Sequence, residues 1–401
     1  MKNRIAERMS RLRSESAFQI LERANELEAR GKSVVHLEIG QPDFKTPDNI
    51  IEAAYKAMRE GKTGYGPSSG IIPLREAIAD YCGAYKNVTA AIDEIVVTPG
   101  GKPVMFFTML MLVQEGDEVI YPNPGFPIYE SVINFSGAKA VPMPLLEKNN
   151  FRVDLEQLER DINAKTRLII INNPGNPTGC MFSDDDVRAI AGLIRGKEIY
   201  ILSDEIYDRI IFAGKPLSIA SLPGMKDRTI ILDGFSKTYA MTGWRLGYGV
   251  MNRELAARMS MLMVNSASCA ATITQWAALE ALNGPQDAVA DMCAAFRERR
   301  DYLVQALNSI DGIHCAMSEG AFYVFPNISG FGLSSAEFAG RLLEEAGVAA
   351  AGGTAFGSYG EGFIRLSYAN SLENLKIAVD RIAAFSKLLL KKTLEALAKP
   401  G

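Results

Sequence analysis

The sequence predicts an α/β fold: a mainly parallel β-sheet between helices, joined to a smaller α+β domain built from both ends of the chain. Three observations carry that expectation. Short β-branched runs alternate with longer helical patterns through the middle of the chain. One of these runs, Leu168-Ile169-Ile170-Ile171, is apolar at every position, as a strand covered on both faces requires. The two ends instead mix charged amphipathic helix with isolated strands.

The residues up to about Arg30 read as a charged amphipathic helix, followed by a short strand at 34–37. Strands are expected at 95–98, 118–121, 139–141, 168–171, 200–203, 229–232 and 246–250. Helical patterns such as 104–113, 128–135 and 184–194 lie between them. Ser183 followed by Asp184, Asp185 and Asp186 gives the last of these a cap and an acidic first turn, which suits the helix dipole. Beyond Leu282 a long helical stretch leads to Ile310, then strands near 313–316 and 322–325. Ser334 with Glu337 forms a capping-box pattern for a helix through Ala346. A strand at 363–368 and a final helix over 372–397 close the chain. The expected division is 1–45 as N-terminal arm and part of the small domain, 46–290 as the large domain, and 291–401 as the small C-terminal domain.

Composition narrows the function. The 401 residues carry 43 Lys and Arg against 47 Asp and Glu, and the net charge of −4 gives no general attraction to nucleic acid or anionic membrane. A hydrophobic fraction of 48% is too high for a disordered chain. The longest apolar-looking run, at 104–113, falls well short of the ~18–20 residues that cross a bilayer. The N-terminus lacks the apolar centre of a signal peptide. Cys82, Cys180, Cys269, Cys293 and Cys315 are scattered without CxxC spacing, and His36 and His314 are the only histidines. Reduced thiols in a cytoplasmic protein are therefore expected, with no metal, nucleic-acid or membrane partner.

The chemistry gathers after the expected strands, at the sheet edge where open α/β folds hold ligands. Lys237 stands in Asp233-Gly234-Phe235-Ser236-Lys237-Thr238, and Arg245 follows in Thr242-Gly243-Trp244-Arg245. Asp204 ends a strand ahead of Glu205-Ile206-Tyr207, and Asn176 lies in Asn173-Pro174-Gly175-Asn176-Pro177-Thr178-Gly179. A lysine amine can form a Schiff base with a carbonyl cofactor once burial or nearby cations free it of its proton. An aspartate can keep a pyridine nitrogen protonated, a tyrosine can donate to a phenolate, and an arginine offers a forked donor to a phosphate. Each residue also has an ordinary reading: Lys237 solvated, Asp204 a helix cap, Tyr207 a core residue, Arg245 a surface ion pair. Their combined order argues for a site.

Two further motifs complete the set. Gly100-Gly101-Lys102 links a strand to a helix, where backbone amides and the helix dipole can hold a phosphate. Neither a Walker loop nor a GxGxxG spacing is present, which disfavours a nucleotide. In Phe363-Ile364-Arg365-Leu366-Ser367-Tyr368, alternation places Arg365 on the face opposite Ile364, Leu366 and Tyr368.

The ordered motifs Gly40-Gln41-Pro42-Asp43, Asn176-Pro177-Thr178-Gly179, Asp204-Glu205-Ile206-Tyr207, Ser236-Lys237-Thr238, Gly243-Trp244-Arg245 and Arg365-Leu366-Ser367 closely resemble the class I/II aminotransferases. These are pyridoxal-phosphate enzymes of fold type I. The resemblance spans about 33–368 and is nearest the bacterial and archaeal aspartate aminotransferases. It implies Lys237 as the Schiff-base lysine, Asp204 as partner of the pyridine nitrogen, and Tyr207 and Asn176 as partners of the phenolic oxygen. It implies that Arg245, Ser236 and the amides of Gly101 and Lys102 hold the phosphate, with Phe126 stacked on the ring. Arg365 would grip the substrate α-carboxylate, with Gly40 and Asn176 lining that pocket. Tyr65 would reach the phosphate of a neighbouring subunit, which implies a homodimer with shared sites. Gly234 departs from the hydroxyl residue many relatives carry there: either one phosphate hydrogen bond is missing, or Ser236 supplies it.

The resemblance thus implies transfer of an amino group from an L-amino acid to a 2-oxo acid such as 2-oxoglutarate. Lys102 favours aspartate or glutamate as donor, whereas Glu15-Ser16-Ala17-Phe18 leaves aromatic or alanine donors open. A β-eliminating lyase on the same fold is the alternative reaction. A transcriptional sensor would need a basic DNA-binding module, which the sequence does not contain.

Overall fold

The computed structural model describes residues 5–397, and its architecture is that of an α/β protein. After the N-terminal helix Ser16–Ala29 comes a short strand, β1 (Val35–His36). Seven strands then build the central sheet: β2 (Ile95–Thr98), β3 (Glu118–Asn123), β4 (Lys139–Pro144), β5 (Thr166–Asn172), β6 (Tyr200–Asp204), β7 (Thr229–Gly234) and β8 (Gly247–Val250). In space they run β2-β8-β7-β6-β5-β3-β4, and β8 alone is antiparallel to its neighbours. The mainly parallel order expected from the sequence is therefore present.

Both faces of this sheet are dry. Leu168 and Ile170 pack with Val119, Leu202 and Ile230 on one face, under the helices Lys102–Leu112, Ile128–Ser136 and Arg253–Ser266. Ile169 and Ile171 pack with Ile120, Ile201 and Ile190 on the other, beneath the helix Asp184–Ile194. Successive residues of a strand point to opposite faces, so an unbroken apolar run serves both layers. Ser183 caps that last helix, accepting a hydrogen bond from the Asp186 amide and completing a capping box.

Several strands run further than their apolar stretch suggests, ending at Asn123, Asn172, Asp204 and Gly234. The last residue of each is polar or, in Gly234, lacks a side chain, which hid it from a hydrophobic pattern. They mark the carboxyl edge of the sheet.

A second core joins the two ends of the chain. Val35 and Leu37 pack with Phe296, Phe322, Tyr323, Leu366, Tyr368 and Ile382. Its strands are β9 (Tyr323–Val324), β10 (Val348–Ala349), β11 (Ala351–Gly352) and β12 (Ile364–Ser367). β1 lies parallel to β10, while β12 sits between β11 and β9, antiparallel to both. The segment 313–316 is not a strand; His314 makes a single bridge to Asn327. Its strand-like alternation arises because Ile313 and Cys315 are buried while His314 faces out. The helical stretch after Leu282 is interrupted at Gly284-Pro285 and resumes as Asp287–Asn308, because proline has no amide to donate. Among the described residues, no helix is long and apolar enough to cross a membrane.

Phe296 sits at the centre of the second core, with ring centres 5.3 Å from Phe322 and 5.5 Å from Phe44. Phe296→Ala should cost about 3–5 kcal/mol, read as a lower urea midpoint. An unchanged midpoint would place this ring outside the cooperative core.

Candidate active site

The carboxyl edge of the sheet opens into a cavity of about 1020 Å³. Gly40, Gly101, Lys102, Phe126, Asn176, Asp204, Tyr207, Ser236, Lys237, Arg245 and Arg365 all line it. They come from both ends and the middle of the chain, so folding assembles what the sequence scatters. Tyr65 lies outside this cavity, with 93% of its surface exposed.

Lys237 follows β7 and reaches into the cleft, where Nζ donates to the Gly40 carbonyl. Burial is the main cause that lowers its pKa to about 8, followed by the positive charge of Arg365. Arg245 and Lys102 push the same way, and Glu15 opposes them. An amine so placed is a far better nucleophile at neutral pH than a solvated lysine.

Asp204 is the last residue of β6 and is buried. Its carboxylate accepts from the Tyr129 hydroxyl at 2.5 Å and from the Ile206 amide at 3.3 Å. Burial raises the carboxyl to about 6, and the bond from Tyr129 limits the rise. Tyr207 lies one turn on, with its hydroxyl 3.0 Å from that of Tyr323. Tyr129 and Tyr323 were not singled out from sequence. Each sits in an apolar pattern, and only the polar tip of a tyrosine distinguishes a site residue from packing.

An anion cradle forms where the helix Lys102–Leu112 begins. Gly100 has φ +87°, and a Cβ there would fall 2.2 Å from Arg245 Nη2. Arg245 itself has φ +56°, a left-handed conformation that costs a non-glycine residue energy and is concentrated at functional sites. Its Nη1 donates to the Thr242 carbonyl at 2.8 Å. A guanidinium pressed against the amide-rich start of a helix is a site for a phosphate group. The residues present therefore fit a phosphorylated cofactor.

Gly234 has a structural reason. It stands opposite Gly247 in the β7–β8 pair, and a Cβ on it would come 2.9 Å from Gly247 Cα. A Cβ on Gly247 would in turn come 2.6 Å from the Gly101 amide nitrogen. The two glycines let the cradle loop lie directly against the sheet. A hydroxyl residue at 234 would collide with this packing.

Arg365, on β12, is 4% exposed. Its Nη1 donates to Asn176 Oδ1 at 3.1 Å and its Nη2 to the Glu38 carbonyl, while buried Nε has no hydrogen-bond partner among the described residues. The rings of Tyr323 and Phe356 lie 4.6 and 4.7 Å from its guanidinium carbon. Lys102 is differently placed from a free substrate-binding lysine: Nζ pairs with Glu15 Oε1 at 2.6 Å, 5.6 Å from the Phe126 ring centre.

Two measurements test this geometry. Gly234→Ser should destabilise the fold by about 1–3 kcal/mol, read by urea denaturation; equal stability would refute the steric reading. In cofactor-free protein, acylation of Lys237 should accelerate as pH rises through about 8, because the protonated amine below that midpoint is unreactive. A midpoint near the ordinary 10.5 would refute the environment described.

The comparisons agree with this architecture. The family model for aminotransferase class I and II matches residues 32–382. An aspartate aminotransferase of Musicola paradisiaca is 38% identical over 382 residues, covering 94% of this chain and 96% of the relative. Aromatic-amino-acid aminotransferase 2 of Thermococcus litoralis is 38% identical over 367 residues, covering 90% and 93%. The solved structure of Thermus thermophilus aspartate aminotransferase with maleate superposes with a TM-score of 0.92 at 35% identity, covering 95% of this chain and 99% of that one. The chain belongs to the class I and II aminotransferase family and has its fold type I architecture.

Proposed function

We propose that this aminotransferase uses pyridoxal 5′-phosphate to move an amino group from aspartate or glutamate to a 2-oxo acid such as 2-oxoglutarate. The observation that carries the reading is the convergence on one cavity of a deprotonation-prone Lys237, a buried Asp204 and the Gly100–Arg245 cradle. When bound, the cofactor supplies an aldehyde carbon and a cationic ring that accepts electrons from the substrate's Cα.

The protein's own groups divide the remaining work. Lys237 Nζ would anchor the cofactor, and its free amine would take the Cα proton of the donor and deliver a proton to the Cα of the acceptor in the second half of the transfer. A pKa of about 8 suits both directions of that transfer. Asp204 holds the ring-nitrogen proton, with Tyr129 fixing the carboxylate. Arg245, Ser236 and the amides of Gly101 and Lys102 hold the phosphate, and Phe126 covers the ring. Tyr207 and Asn176 hold the phenolic oxygen. Arg365 receives the α-carboxylate in a pocket shared with Gly40 and Asn176, and the free Nε gives it a further donor.

Tyr65 fits a role outside its own cavity, contributed to the partner site of a homodimer. The proposed domain division remains 1–45, 46–290 and 291–401, and the proposed setting is the cytoplasm. A second reading concerns the donor. Glu15 offsets the charge of Lys102, and Phe18 and Phe126 both line the cavity, which favours aromatic donors as a second class.

Loaded enzyme should deaminate aspartate faster than phenylalanine, tyrosine or alanine in a donor panel with 2-oxoglutarate, scored by the oxo acids formed. Lys237→Ala should bring turnover to background and abolish borohydride tagging of position 237. Turnover retained in the pure variant would defeat the proposal, and a preference for aromatic donors would replace its substrate.

A further inference from the structure

We infer that Lys86, outside the cavity, is a positioning residue that locks the end of β6, which carries Asp204, to the segment after β7 that carries Lys237. The inference rests on the reading of those two residues given above. Lys86 ends a π-helical turn, Cys82–Lys86, that continues the helix Ile72–Tyr81. Such turns concentrate at functional sites. Its ammonium is buried and meets three carboxylates: Glu205 Oε2 at 2.9 Å, Asp233 Oδ2 at 2.9 Å, and Asp208 Oδ2.

The origin of those carboxylates makes the cluster functional. Glu205 and Asp208 interleave with Asp204 and Tyr207 on the turn after β6. Asp204 and Tyr207 line the cavity, while Glu205 and Asp208 bind Lys86. Asp233 belongs to β7, which leads directly into Ser236 and Lys237. One ammonium thus ties the turn bearing the ring-nitrogen partner to the strand that leads into the reactive amine.

Neutral donors fix each carboxylate further. Ser203 and Ser218 donate to Glu205 at 2.8 and 2.7 Å, Tyr81 to Asp208 at 3.1 Å, and Tyr248 to Asp233 at 2.9 Å. Three buried acids around one cation are a poor source of stability, because desolvating the ions offsets their attraction. Burial, with the neighbouring Asp208, pushes the Asp233 carboxyl up to about 7, so the cluster sits under electrostatic tension. An apolar cluster in place of all four charges would fill the same volume without that tension, but it could not fix the register of two loops.

Without Lys86 the carboxylates repel one another, and the turn carrying Asp204 shifts against the segment carrying Lys237. A misplacement of about 1 Å costs about a hundredfold in rate. Arg365 stands on neither strand end, so substrate binding should be spared.

The experiment compares the parent holoenzyme with Lys86→Met, Lys86→Arg and Asp208→Asn. It measures kcat and KM for aspartate per borohydride-tagged site, and the pH titration of the visible absorbance band. Lys86→Met should lower kcat per tagged site about 10–100-fold, keep KM within about threefold, and shift the absorbance midpoint. Lys86→Arg should restore part of both. A purely structural role predicts fewer folded sites, each with the parent kcat and titration, and that result overturns the inference. Should Lys86→Met not fold, Asp208→Asn decides, because it removes one tie while easing the charge excess. A several-fold fall in kcat with a shifted midpoint supports the clamp; parent values in both overturn it. A parent that takes up no pyridoxal phosphate overturns the underlying reading and this inference together. A normal parent with indifferent variants overturns the clamp alone.

Discussion

A lysine amine that shares a cleft with two guanidinium groups cannot hold its proton as it would in water. Lys237 is placed under that constraint by burial and by the charges of Arg365 and Arg245. Much of the surrounding structure serves to keep those cations close without letting them neutralise against acids. Asn176 and the Glu38 carbonyl are neutral acceptors for Arg365, and the Thr242 carbonyl plays the same part for Arg245. Their positive charge stays available to Lys237 and to any anion that enters.

The opposing charge is kept at a distance and under separate control. Asp204 lies at the carboxyl end of a parallel strand, where the hydrogen-bonded ladder stops and a side chain can face the cleft. Its burial would favour the protonated form, and the Tyr129 hydroxyl counters that by stabilising the anion. The cleft therefore presents separated cationic and acidic regions, the polarity expected of a site for a phosphorylated, nitrogen-containing ring. Behind the acidic region, Lys86 and its three carboxylates hold the loops from the far side.

Close backbone contact makes the arrangement possible. Gly234 and Gly247 face each other across β7 and β8, and Gly247 admits the backbone of Gly101. Side chains at those positions would lift the cradle away from the sheet and from Arg245. The Lys102–Glu15 pair adds a different constraint. Glu15 already pairs with the Lys102 ammonium, so any anion approaching Lys102 competes with an internal carboxylate.

The fold class was legible because its signal is local. An apolar run such as 168–171, or a Ser-Asp-Asp-Asp helix start, follows from burial and capping within a few residues. The family motifs were legible for a similar reason, being short words in a fixed order. Strand ends such as Asn123 and Asn172 escaped a hydrophobic reading because the residues at a cleft edge are polar. Packing over long sequence distances decided the rest: which tyrosine meets Asp204, why position 234 is glycine, where Tyr65 points, and that Lys102 has a carboxylate partner. Those facts depend on side-chain tips and backbone separations a few ångströms apart in space and tens to hundreds of residues apart in sequence, a relation that no local pattern encodes.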